Sequence, residues 1–220
     1  MEYNLKGVRD QVILDKLDDE SFDPGTVDRF INTVQRRIFN TFELPFMEAV
    51  FSGVLPAEQR IFVFPAEVQS VKGVVITSPT GEQTNITDKQ LRYKDFLTKY
   101  PTPANNTPGA ISEWMSFAGK IYTSAPTDVA YQMDTFYTKK PTLLVADEDV
   151  PEIPEEFQEL LVLGAYQLVL ERNEDYDLAA VIQGQFDRQI DLLVDRYGLR
   201  MSDGGITMAQ PRARTTRRNR

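Results

Sequence analysis

The residue types behind most hydrolytic and metal chemistry are missing from this chain. It has no histidine and no cysteine, which removes Ser-His-Asp and Cys-His nucleophile systems, histidine metal centres, zinc knuckles and disulfides together. Carboxylates are left. The densest group is Asp147, Glu148, Asp149 and Glu152, which in principle suits general acid–base work but equally suits a solvated link beside a helix start. Phosphate cradles are absent, since there is neither a G-x-x-x-x-G-K-[ST] run nor a G-x-G-x-x-G between a strand and a helix. The acids from Asp15 to Glu20 lack the glycine and ligand spacing of a calcium loop. Asn85-Ile86-Thr87 matches a glycosylation triplet that an intracellular chain does not use. No catalytic residue, metal ligand or cofactor is therefore expected.

Two other features invite a binding role. Trp114 with Met115 and Phe117 would make a stacking platform for nucleic acid if exposed, although an aromatic among strands is more often buried. The second is the C-terminus. Five arginines, Arg212, Arg214, Arg217, Arg218 and Arg220, fall in the last ten residues with no acid among them. The whole chain carries a net charge of -9, and setting those five aside leaves 19 basic against 33 acidic residues, or -14, for residues 1–210. An acidic body with a basic tail differs from the basic face of a generic DNA-binding domain. From residue 198 to 220 no periodic apolar face is apparent, so the segment reads as an extended arm that orders on a partner, up to about 75 Å long at roughly 3.3 Å per residue. Leu199, Met201, Ile206 and Met208 are its candidate anchors. The arginines would pair with carboxylates of a protein groove or with phosphates.

The elements that must carry such an arm follow from periodicity. Val8, Val12, Ile13 and Leu17 mark a short first helix that stops at the turn-prone Asp18 to Gly25. Asp23 as cap and Pro24 at the first position open a second helix, whose face runs Val27, Phe30, Ile31, Val34, Ile38 and Phe42. From Arg60 to Thr77 β-branched runs predict strands, with a turn at Ser78 to Gly81, a partner strand over 83–87 and a short helix from Thr87 through Leu97. Strands are expected over 112–117, 120–124 and 131–139, the last with strict alternation. Beyond the acidic link lies a third helix through Phe157, Leu160, Leu161, Gly164 and Leu168, where Gly164-Ala165 permits close packing. The fourth carries Ala179, Ile182, Phe186, Ile190, Leu193 and Tyr197, closed by Gly198.

Neither helical pair has enough apolar surface for its own core, so the two should pack together. The expected fold is α+β and mainly helical: a four-helix bundle-like core with an inserted antiparallel β region and an extended C-terminal arm. The expected divisions are a helical pair over 1–59, a β-rich insertion over 60–146, a second helical pair over 147–198 and the arm over 199–220. An N-terminus without an apolar core and the lack of any stretch of about 18 apolar residues predict neither secretion nor a membrane span.

The run from Ala118 to Tyr131, then Phe136-Tyr137-Thr138-Lys139-Lys140-Pro141, resembles the strand-proline-strand segment of head-to-tail adaptor proteins of tailed bacteriophages. Val150-Pro151-Glu152-Ile153-Pro154-Glu155-Glu156-Phe157, then Leu160 to Tyr166 and a helix through Asp175 and Ala179, continue the likeness over residues 110–200. The resemblance implies a structural protein of the virion neck, assembled in the host cytoplasm. It further implies a homo-oligomeric ring, usually of twelve subunits, that docks under the portal protein, faces tail or nozzle proteins and lets DNA pass through its lumen. Arms of this kind grip the portal in that family. Another neck component, such as a stopper or tail terminator, and a nucleic-acid-binding protein using the basic arm are the alternative readings.

Overall fold

The computed structural model describes residues 3–42, 44–101, 107–197, 199–202 and 205–208. The chain is α+β and divides into two compact units, Met1–Met47 with Pro141–Arg220, and Glu48–Lys140.

In the first unit, α1 (Leu5–Asp10) is capped by Asn4, whose side chain accepts the Gly7 N–H at 2.8 Å. It continues as a π-helical stretch over Gln11–Leu17 and stops where Asp18 turns left-handed at φ 51°. The helix α2 (Pro24–Thr41) begins as its sequence dictates: Asp23 accepts from Gly25 N and Thr26 Oγ1, and Pro24 occupies the first turn. A 3₁₀ turn, Pro45–Met47, ends this half.

The chain returns through the link at 141–154 into a second 3₁₀ turn, Glu155–Phe157, and α4 (Gln158–Arg172). Leu160 to Ala165 of α4 are all buried, as are Gln167, Val169 and Leu170. A helix apolar on nearly every side is a central helix, and α4 is packed by α1, α2 and α5 (Tyr176–Tyr197). The predicted stripe of α5 is its buried face, with Ala179, Ile182, Phe186, Ile190 and Leu193 inside and Tyr197 packed against the same core. One continuous core therefore runs from Leu5 to Leu193 through all these helices.

The second unit holds two antiparallel sheets around a core of its own. In the first, β1 (Glu48–Leu55) pairs with β7 (Tyr131–Lys139), β7 with β3 (Val68–Thr77), and β3 with β4 (Gln83–Asn85). In the second, β2 (Ile61–Val63), β6 (Lys120–Thr123) and β5 (Trp114–Phe117) lie in that order. Tyr131, Met133, Thr135 and Tyr137 of β7 point inward, as their alternation predicts. The helix expected from Thr87 is split into a 3₁₀ turn, Thr87–Lys89, and α3 (Tyr93–Lys99). Between them Gln90 bridges Trp114 and the Leu91 N–H donates to Trp114 O at 2.8 Å, which holds the chain extended. Arg60 is buried beside them. Its Nε donates to Thr123 O and its guanidinium lies over the Phe96 and Tyr100 rings.

Candidate assembly surfaces

The acids with the best spacing for chemistry hold backbone and side chains in place. Asp149 accepts the Val145 and Ala146 N–H groups at 2.7 and 2.9 Å, and these bonds hold its carboxyl below the ordinary value of 3.8. Asp147 pairs with Arg9 at 2.8 Å, and Arg9 reaches Asp28 at 3.1 Å. Burial pushes the Asp28 carboxyl up, and the nearby Arg9 opposes that rise. Glu152 accepts from Thr142 N and Oγ1. The link is thus pinned to the first helix and to α2. Asn32, buried in α2, completes the arrangement by donating to Leu144 O and accepting from Leu144 N, both at 2.9 Å. Gln35 donates to Thr142 O at 2.9 Å. Asn32 and Gln35 interrupt an apolar face in the sequence, and that interruption was the available signal for a backbone clamp.

Trp114 is fully buried, and its indole N–H donates to Ile86 O at 2.6 Å. It is a core residue, not a stacking platform for nucleic acid. Phe117 is half exposed, in contact with the Tyr93 ring at 4.7 Å.

The C-terminal candidates divide. Leu199–Ser202 and Gly205–Met208 form β8 and β9, an antiparallel pair with Leu199 opposite Met208 and Met201 opposite Ile206. An extended arm without regular structure is therefore not what these eight residues adopt. Their apolar residues recur at every second position, and Asp203-Gly204, the dipeptide that two-residue hairpin turns favour, separates them in sequence. Arg212, Arg214, Arg217, Arg218 and Arg220 lie outside the described residues. The end of α5, from which β8 follows, is fixed to the start of α4. Tyr197 donates to Glu156 Oε1 at 2.5 Å, Arg196 pairs with Glu156 Oε2 at 2.8 Å, and the Tyr197 ring meets those of Phe46 and Phe157. The Glu156 carboxylate raises the Tyr197 hydroxyl pKa above its ordinary value.

Among the described residues no group of three or more acids is placed to hold a metal ion, and no helix is long and apolar enough to cross a membrane. Large apolar side chains instead stand exposed in the first unit, notably Leu143, Val145 and Val150 in the link and Leu178, Val181 and Leu192 on α5. The chain belongs to the SU10 adaptor protein family, a family of phage head-to-tail adaptors, whose model matches residues 3–214. A chain in a solved neck of an empty GTA particle, computed with C6 symmetry, aligns with a TM-score of 0.27 and 13% identity over 74% of this chain and 75% of that one, a likeness too distant to carry any part of the reading. No curated protein matches.

Proposed function

We propose that the protein is a structural head-to-tail adaptor of the phage neck, forming a ring between portal and tail through which DNA passes. The observation that carries this reading is the family match over nearly the whole chain. The family is one of structural adaptors, which is not an enzyme class, and the mechanism breaks no bond.

In this mechanism the helical unit supplies rigid wedges that repeat a heterologous contact until the ring closes, at twelve subunits in the expected case. The body's acidity would repel DNA in the lumen and let it slide. Leu199, Met201, Ile206 and Met208, paired in the hairpin, and the arginines from Arg212 to Arg220 form the portal-binding element. Many tethered copies engaging one portal give avidity that a single copy lacks. The outer ends of the ring meet tail or nozzle proteins.

The test is to remove residues 201–220 and mix the protein with portal-bearing, DNA-filled heads. Retained helical circular dichroism with loss of co-sedimentation supports the portal element. Attachment equal to that of the full chain rejects it.

A further inference from the structure

The two sheets of the β unit have four edges between them, and three are short. The edge strands β2 and β4 have three residues each. Strand β5, with four, is met by Gln90 and by the Leu91 N–H, which donates to Trp114 O. The fourth edge is β1, which runs eight residues and pairs with β7 on one side only. In such a pair every second residue turns its N–H and C=O away from the partner strand. Among the described residues, the backbone groups of 49–55 make no hydrogen bond outside the ladder with β7.

Native edges of this length are usually blunted by lysine, proline or a bulge. Residues 49–55, Ala-Val-Phe-Ser-Gly-Val-Leu, carry no charge and no proline. Their register with β7 runs without a shift, whereas that of β3 with the same strand shifts twice. Val50, Ser52 and Val54 are exposed on the outer face, Val54 at 63%. Phe51, on the core side against the Phe62 ring, is only half-buried. A long, straight, uncharged edge with open backbone is a template for an added strand.

The chain also carries strands that lack a sheet. Among the described residues β8 and β9 pair only with each other, so each has an open outer edge. A lone two-stranded hairpin is marginal in water and needs a third strand or a packed face. We propose that this hairpin adds to β1 of the next copy in the ring, extending its four-stranded sheet to six strands. The occupant is a second copy because hairpin and β1 stand in separate sheets of one chain, while each supplies the backbone groups that the other lacks. Edge and hairpin are different surfaces, so the contact is head-to-tail and repeats around a closed ring. Arg212 to Arg220, beyond β9, stay available to the portal. This inference rests on the ring reading above and names one of its subunit contacts.

The chain has no cysteine, so introduced thiols report on this contact alone. Full-length Ser52→Cys protein is mixed with an equal amount of tagged Arg200→Cys or Thr207→Cys protein and assembled on portal-bearing heads. Arg200 and Thr207 are opposite each other on β8 and β9, so the two mixtures cover both outer edges of the hairpin. After treatment with a short bismaleimide, at least one mixture should give a product of one tagged and one untagged chain on a denaturing gel. Dimers from Ser52→Cys protein alone would overturn the proposal in favour of two β1 edges pairing about a two-fold axis. A ring visible by electron microscopy without the mixed product would overturn the strand contact and leave the ring standing; no ring at all would reject the ring reading and this inference with it.

Amide hydrogen exchange tests the same contact on the unaltered chain. The N–H groups of residues 49–55 that face away from β7 should exchange more slowly in the ring than in the free protein, on the order of tenfold or more, because an added strand must open before they exchange. Equal exchange of this segment in the free protein and in the assembled ring would overturn the proposal.

Discussion

Gly164 and Gly184 each sit inside a helix, yet replacing them with alanine should act in opposite directions. A Cβ on Gly164 would lie 2.7 and 2.8 Å from the two methyls of Val34 and 3.0 Å from Cε2 of Phe186, because α2 and α5 both approach α4 there. Contacts that short force the neighbours to move, and overpacking of a dense core costs about 1–3 kcal/mol. Alanine's better helix propensity returns about 0.5–1 kcal/mol, which at the middle of both ranges leaves Gly164→Ala destabilised by about 1 kcal/mol. At about 2–4 °C per kcal/mol for a chain of this size, Tm should fall by a few degrees. A Cβ on Gly184 meets nothing within 4 Å. Gly184→Ala should then gain about 0.5–1 kcal/mol from propensity alone. The assay is thermal and denaturant unfolding followed by helical circular dichroism. Adding Val34→Ala to Gly164→Ala should cost less than the sum of the two single changes, since the second removes the methyls that the first strikes. A Gly164→Ala protein as stable as Gly184→Ala would refute the three-helix approach.

Three further outcomes follow from single contacts. Asn32→Leu leaves a buried N–H and a buried C=O of Leu144 unpaired, which should cost about 2–5 kcal/mol by denaturant titration; a loss under about 0.5 kcal/mol would mean the clamp is not formed. Trp114 is the chain's one tryptophan and is fully buried. Its emission should therefore be blue-shifted and protected from acrylamide until the β unit unfolds, and quenching like that of free tryptophan would contradict that core. The Asp149 carboxyl is held below 3.8 by two backbone N–H bonds, so its stabilisation is present above that pH and is lost as pH falls through the lower folded-state value. Asp149→Ala should be less stable at neutral pH and show a shallower acid limb, measured by stability against pH; parallel curves would argue against it.

Much of the helical unit was legible because its faces contrast. Asp23-Pro24 marks the start of α2 by cap chemistry, and the α5 stripe predicts the five residues it buries. Strand β7 was equally clear from its strict alternation. Strand β1 was not, because Val50 and Val54 on its exposed side are as apolar as Phe51 and Leu55 opposite, which erases the period-two contrast. The break at 90–92 depends on pairing with Trp114, a partner more than twenty residues away that no local signal announces. At the C-terminus the hairpin signal was present in the alternation and in Asp203-Gly204, but the surrounding glycines and arginines favoured a reading as an arm. The exposed apolar residues of α5 were the least visible. Leu178, Val181 and Leu192 look like core residues until the helix is docked and its inward stripe is seen to be a different one.

The most direct measurement is the position of this chain in the virion. Cryo-electron microscopy of the neck, with and without the protein supplied to portal-bearing heads, should show a closed ring directly beneath the portal that is absent when the protein is withheld. Density for the chain on the tail side alone, or single copies without a ring, would contradict the adaptor account.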